Sequence, residues 1–131
     1  MNHETKFVET FVLADCQARW LEFLSKPKRR GSFLHRLADD RDLDGRFRVP
    51  VLPVQQSPEG IAFQLRKLHA STSCHVISEM ADLDGRDMDL IAALQLVVGS
   101  GLGTIISCIP GELAYYEGEM PRDRYVLHCK A

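Results

Sequence analysis

The spacing of apolar residues near the amino terminus predicts one amphipathic helix. Apolar side chains recur at steps of four and three residues from Phe7 to Leu21, which places them on one face of a helix. We expect this helix to cover residues 5–25 and to end before Pro27. A second, shorter helix is expected to follow, with Ser32 as its N-cap.

The middle of the chain alternates between extended and helical patterns. Residues 47–54 are rich in β-branched side chains but contain two prolines, which predicts a strand at the edge of a sheet. Ser57, followed by a proline, is typical of a helix start. Residues 73–79 predict a second strand. Residues 88–98 are apolar on almost every side, which predicts a buried helix with acidic residues in its first turn.

Three strand patterns follow one another at the end of the chain, over residues 104–109, 113–117 and 124–130. A Pro-Gly turn separates the first two, so we expect an antiparallel meander. The element order is α-α-β-α-β-α-β-β-β, which predicts an α+β fold with a mixed or mainly antiparallel sheet and helices packed on it. No linker-like composition interrupts the chain, and we expect residues 1–131 to form a single domain.

Composition narrows the class of protein further. The chain has 131 residues, of which 45% are hydrophobic, and a formal net charge of −2, which together exclude intrinsic disorder. Acidic residues interrupt the start of the chain, where a signal peptide needs a basic and then apolar stretch. The apolar run over residues 90–98 is too short to span a bilayer. We therefore expect a cytoplasmic protein with no membrane association.

The cysteines and aspartates do not have the spacing of metal sites. The four cysteines are Cys16, Cys74, Cys108 and Cys129. They include no closely spaced pair of the kind that structural zinc sites use, and two Asp-Leu-Asp-Gly-Arg segments at 42–46 and 82–86 fail the EF-hand ligand pattern. We expect turns there, no metal and no other cofactor. Core cysteines are favoured, with Cys108 the best thiol for an alternative Cys–His nucleophile pair.

A basic segment follows the first predicted helix. Residues 26–36 contain five positive charges and no acid: Lys26, Lys28, Arg29, Arg30 and Arg36. Such clusters bind phosphate groups, but four aspartates between positions 39 and 44 nearly cancel the local charge. No aromatic residue interleaves the basic ones for base stacking. We favour a solvated loop between helices and keep a polyanion or nucleic acid as a less favoured partner, testable through heparin retention after Lys28→Glu with Arg30→Glu.

A glycine-rich segment and two glutamates complete the candidates. Gly99–Gly103 has the composition of a phosphate loop, but it follows a helix and enters a strand, which is typical of a helix C-cap instead. Glu79 and Glu117 are the acids expected within or at the edge of the sheet, where they serve acid–base chemistry or face solvent. Tyr115 and Tyr116 beside Glu117 suit a partner-binding surface.

Two classes of function remain open. The favoured one is a non-enzymatic binding module for an unknown protein partner or for a second copy of the chain, because no catalytic spacing or cofactor motif is present. The alternative is a small enzyme or ligand-binding domain with a carboxylate-containing pocket near Glu79, Glu117 and the Gly99–Gly103 loop.

Overall fold

A computed structural model describes residues 2–121 and 123–130 of the chain. The helices within this part are α1 (His3–Phe11), α2 (Ala14–Leu24), α3 (Pro27–Phe33), α4 (Pro58–Lys67) and α5 (Leu90–Val97). The strands are β1 (Arg48–Pro50), β2 (Ser73–Ser78), β3 (Asp87–Asp89), β4 (Thr104–Ile109), β5 (Leu113–Glu117) and β6 (Arg124–His128). A short 3-10 helix, Leu34–Ala38, directly continues α3.

The described strands form one antiparallel sheet in the order β1-β6-β5-β4-β2-β3. The last three strands are neighbours in sequence and in space, which confirms the α+β class and the C-terminal meander. Of the predicted strand over residues 47–54, only Arg48–Pro50 forms the edge strand β1, where a proline without a backbone donor is tolerated, and Pro53 begins a 3-10 helix, Pro53–Gln55. The sheet is therefore the mainly antiparallel form of the expected fold.

Helices cover both faces of the sheet. Alternate residues of the central strands point to opposite sides, so Ile106 and Tyr115 pack with α4 and α5, whereas Ile105 and Tyr116 pack with α1, α2 and α3. Every residue of β5 is buried. Two hydrophobic cores thus lie on either side of one sheet, which explains why its central strands are buried on both faces and show no regular alternation of apolar and polar residues.

The first predicted helix is in fact two helices. Val12 adopts an extended conformation between α1 and α2, and it forms an isolated bridge with Leu43. The Leu13 amide donates to the Asp42 carbonyl, and the Asp44 amide donates to the Phe11 carbonyl. The prediction of an unbroken helix over residues 5–25 was wrong, because the segment 42–44 provides the hydrogen-bond partners of the backbone at the break.

The basic segment is a helix and not the expected loop. The preceding helix α2 ends at Leu24, before Pro27 as expected, and Pro27 itself occupies the first turn of α3, where its missing amide hydrogen is not needed. Ser32 consequently lies inside α3 and is not an N-cap. The predicted cap at Ser57 is confirmed, since its hydroxyl accepts the Gly60 amide at 3.0 Å.

The predicted helix over residues 88–98 begins two residues later than expected. Asp87 and Asp89 belong to the short strand β3, which pairs with β2. The Asp89 carboxylate then accepts the Ala92 amide at 3.0 Å and caps α5. No helix within residues 2–121 and 123–130 combines the length and apolar character needed to cross a bilayer.

Candidate functional site

A groove of about 510 Å³ opens between α2 and α3. Its lining residues are Arg19 and Phe23 from α2, Lys28, Arg29, Ser32 and Phe33 from α3, and Arg36 from the 3-10 helix that follows. None of these described residues is acidic. We call this surface the basic groove.

Residues four apart build the two walls of the basic groove. Arg19 and Phe23 stand one turn apart on α2, and Arg29 and Phe33 have the same spacing on α3. Positions four apart lie on one helical face, so each wall pairs a cation with a phenyl ring. The sequence contains this repeated Arg-x-x-x-Phe spacing, but the expectation that no aromatic residue interleaves the basic ones was wrong.

The aromatic floor of the groove is held by stacking. The rings of Phe23 and Phe33 lie parallel, with centroids 5.1 Å apart and an interplanar angle of 4°. Trp20 meets Phe33 edge-on at 5.4 Å. Phe33 is buried within the core, whereas Phe23 is half-buried. One face of Phe23 stacks on Phe33 and part of the ring packs against the core, while its exposed part belongs to the groove lining.

Asp42 holds Arg36, one of the residues that line the groove. This buried carboxylate accepts the Trp20 indole N–H at 2.9 Å and two N–H groups of Arg36 at 2.7 and 2.8 Å. Burial opposes its ionisation, but the hydrogen bonds from Arg36 and Trp20 outweigh burial and hold the pKa of Asp42 below its usual value. Arg36 is therefore neutralised and positioned.

The other cations of the basic groove keep their charge uncompensated. The aspartates that follow the basic segment are each engaged by an arginine, in the pairs Asp39–Arg41, Asp40–Arg48, Asp42–Arg36 and Asp44–Arg46. Within the described part of the chain, Arg19, Lys28 and Arg29 make no ion pair. The expected cancellation of charge by these aspartates therefore holds for Arg36 but does not extend to Arg19, Lys28 and Arg29.

Two members of the basic segment lie outside the groove. Lys26 pairs with Glu22 at 3.0 Å on the exposed side of α2. Arg30 points inward and makes bidentate hydrogen bonds to Glu4 and to Asp84. Substitution of Arg30 would therefore test an internal ion network and not the groove. The double substitution at Lys28 and Arg30 that the sequence suggested is consequently unsuitable as a test of heparin binding.

Arg30 belongs to a part-buried network that the sequence did not indicate. Glu4 bridges Arg30 and the Nε2 atom of His75, and Nδ1 of His75 lies 2.7 Å from Asp87. Both nitrogens of His75 thus face carboxylates, which favours the imidazolium form. Burial opposes this charge, but Glu4 and Asp87 outweigh it and raise the pKa of His75. His3 stacks on His75 with centroids 5.5 Å apart.

The two glutamates chosen from the sequence bind opposite ends of the glycine loop. Glu79 accepts the Gly103 amide at 2.6 Å, and Glu117 accepts the Gly99 amide at 2.9 Å. Both glutamates lie beside the start of β4, since its first residue, Thr104, pairs with Ser78 on one side and with Glu117 on the other. The structure brings the three elements together, with each carboxylate engaged by backbone.

Glu117 has the more unusual environment of the two. It is 1% exposed, accepts the Tyr115 hydroxyl at 2.7 Å and lies 3.5 Å from Arg124. Burial raises the pKa of Glu117 despite these partners. The cavity beside it measures about 60 Å³, which holds roughly two water molecules.

The remaining sequence candidates lie in the core. Tyr115 and Tyr116 are fully buried, and the Tyr116 hydroxyl donates to the Leu37 carbonyl at 2.8 Å. The expected exposed patch at these tyrosines is therefore absent from the surface. Cys108 is also buried, and burial raises the pKa of its thiol, which disfavours the thiolate that a nucleophile requires.

The described residues contain no group of three or more His, Cys, Asp or Glu side chains arranged to hold a metal ion. Cys16 and Cys129 are half-buried and Cys74 is buried, all as free thiols. Comparison of the chain with protein-family models, with curated proteins and with solved structures gives no match. The site must therefore be interpreted from its own chemistry.

Proposed function

We propose that this chain is a non-enzymatic binding module that takes a polyanionic partner in the basic groove. The observation that carries the proposal is that three cations, Arg19, Lys28 and Arg29, line the same groove of about 510 Å³. None of the three has an ion-pair partner in the described part of the chain. Uncompensated like charges repel one another, and an anionic ligand relieves that repulsion.

The extent of the basic surface favours a partner with several charges. A second groove of about 460 Å³ adjoins the first and shares Lys28 and Arg29 with it. Its other lining residues, Ser25, Lys26 and Pro27, continue the surface around the start of α3. A single small anion would engage only part of this track, whereas a chain of anionic groups can follow it.

The alternative of a small enzyme centred on Glu79 and Glu117 has less support. Acid–base catalysis needs a carboxylate within reach of a bound substrate. The glycine-loop amides already occupy both carboxylates, and the cavity beside Glu117 has room for little more than water. The raised pKa of Glu117 is accounted for by its burial.

Retention on immobilised heparin tests the proposal. The variant Lys28→Glu with Arg29→Glu is expected to elute at a much lower salt concentration than the wild type, because it reverses two of the cations in the groove. Both positions lie in the first turn of α3, where acidic side chains complement the helix dipole, so the fold is expected to tolerate the change.

A matched control uses two exposed cations elsewhere on the surface. Arg66→Glu with Lys67→Glu in α4 makes the same change in net charge far from the groove along the chain; because both positions lie in the last turn of α4, where acidic side chains oppose the helix dipole, the melting temperature of this variant is measured beside its retention. If both double variants lose retention equally, binding follows net charge alone and the assignment to the groove is refuted. Unchanged retention of the Lys28 and Arg29 variant would refute it as well.

A further inference from the structure

We infer that the partner of the basic groove is a single-stranded nucleic acid, with a base stacked on Phe23. This inference rests on the proposed function and specifies its ligand. The groove combines uncompensated cations with an aromatic floor. Together these two features match a sugar-phosphate chain that carries planar bases.

The aromatic floor supplies the contact that a simple polyanion would not use. Phe33 fixes Phe23 in one orientation by parallel stacking, and Trp20 in turn supports Phe33. An aromatic ring held in this way loses little further conformational freedom when a base stacks on it. Since every base has a π-face, such a contact tolerates any sequence.

The cations are placed to hold the backbone on either side of that contact. Arg19 precedes Phe23 by one turn on α2, while Lys28 and Arg29 face it from the first turn of α3. Planar guanidinium groups bind phosphate oxygens in bidentate fashion, and lysine acts as a point charge. A strand that follows the groove therefore meets cations before and after the stacking position.

A duplex does not fit this arrangement. Its bases are already stacked on one another, so none can reach a ring on the floor of a groove without unpairing. The chain also has a net charge of −2, whereas duplex binders spread positive charge over a whole face. A single strand needs only the narrow track that is present.

Fluorescence anisotropy with four labelled probes tests the inference. The probes are a thymidine dodecamer, an abasic dodecamer with the same number of phosphates, the corresponding duplex, and polyglutamate of matched charge. The wild type is expected to bind the thymidine dodecamer roughly tenfold or more tightly than the abasic one, because stacking adds to the phosphate contacts. With about three contacts, one for each uncompensated cation, log affinity should fall with log salt at a slope of about −2.

Variants at Phe23 identify the stacking surface. Phe23→Leu keeps an apolar side chain of similar size and should erase the preference for thymidine over abasic DNA, while affinity for the abasic probe persists. Phe23→Tyr retains a ring and should retain the preference. Phe63→Leu, at an exposed phenylalanine of α4, is the matched control and should change nothing.

The outcomes separate this inference from the proposed function. Equal affinity for the two dodecamers overturns base stacking but leaves a polyanion groove in place. Tighter binding of the duplex or of polyglutamate overturns it in favour of a double-stranded or acidic protein partner. Failure of all four probes and of heparin to bind overturns both proposals. If Phe23→Leu does not fold, the comparison of the two dodecamers on the wild type and on Phe23→Tyr still shows whether a base stacks on Phe23.

Discussion

Replacement of Glu4 by Gln is expected to destabilise the fold through the ion network that joins α1 to α3 and β2. Glu4 is part-buried, accepts two hydrogen bonds from Arg30 and lies 2.6 Å from Nε2 of His75. Burial alone would raise its pKa, but Arg30 and His75 hold the pKa of Glu4 at about 2, against an ordinary value of 4.5. The amide of Gln resembles the protonated acid in shape and lacks the charge.

The magnitude follows from that difference in pKa. Each unit corresponds to 1.36 kcal/mol, so the ionised form of Glu4 contributes about 3 kcal/mol to folding at neutral pH. Gln keeps part of the hydrogen bonding, and we expect a loss of about 2–3 kcal/mol in the free energy of unfolding. In a domain of this size the melting temperature should fall by roughly 10 °C.

The stability contributions of Glu4 and His75 change with pH in opposite directions. The folded state lowers the pKa of Glu4, so its contribution is complete above pH 4.5 and is lost as pH falls toward 2. The folded state raises the pKa of His75, so the contribution of His75 is complete below its ordinary value of 6.5 and is lost as pH rises through the folded-state value. Wild type and variant should therefore converge in acid.

Urea unfolding at a series of pH values measures this difference. Glu9→Gln is the control, because Glu9 lies on the same helix but is half exposed and 3.8 Å from its partner Lys6. That variant should change stability by less than about 0.5 kcal/mol. A loss for Glu4→Gln no larger than that of the control, or one that persists undiminished at pH 2, would refute the assignment of the stabilisation to an ionised Glu4.

Three further changes test the packing around the groove, in the glycine loop and in α3. Asp42→Asn should cost about 2 kcal/mol or more in urea unfolding, since it weakens the charged hydrogen bonds to Arg36 and Trp20, and an unchanged midpoint would contradict the role of Asp42. Gly103→Ala should cost roughly 3 kcal/mol, because a Cβ there overlaps the Leu37 carbonyl. Gly31→Ala in α3 meets nothing within 4 Å and should stabilise by about 0.5–1 kcal/mol, so equal effects of the two glycine changes would contradict the packing account.

The sequence predicts those parts of the fold that depend on local chemistry. A serine cap followed by proline sets the start of α4, and a Pro-Gly turn joins β4 to β5. Each of these features acts between residues a few positions apart. Periodicity and turn residues therefore suffice for the class of fold and for the C-terminal meander.

Contacts between distant segments decide what the sequence does not predict. Residues 42–44 interrupt the first helix by taking its backbone partners, although the apolar stripe continues across the break. Arg30 belongs by position to the basic cluster, yet its partners Glu4 and Asp84 lie 26 and 54 positions away. Local spacing carries no information about such pairs.

In the candidate sites, too, local patterns are predicted from the sequence and contacts between distant segments are not. The tyrosines of β5 suit a partner surface only if one face of the sheet is open, but helices cover both faces and bury them. In the basic groove, Lys28, Arg29 and Arg36 belong to the cluster predicted from the sequence, whereas Arg19 and part of the aromatic floor come from α2, which packs against α3. The Arg-x-x-x-Phe spacing shared by both helices is the pattern that indicates it.

The most direct test of the central claim is a ¹H–¹⁵N NMR titration of the wild-type protein with a heparin hexasaccharide. Binding in the basic groove predicts saturable shifts concentrated in the backbone amides of residues 19–36, and their loss in the Lys28→Glu, Arg29→Glu variant. Shifts centred instead on the exposed cations of α4, or no shifts at all at low ionic strength, would contradict the proposed function.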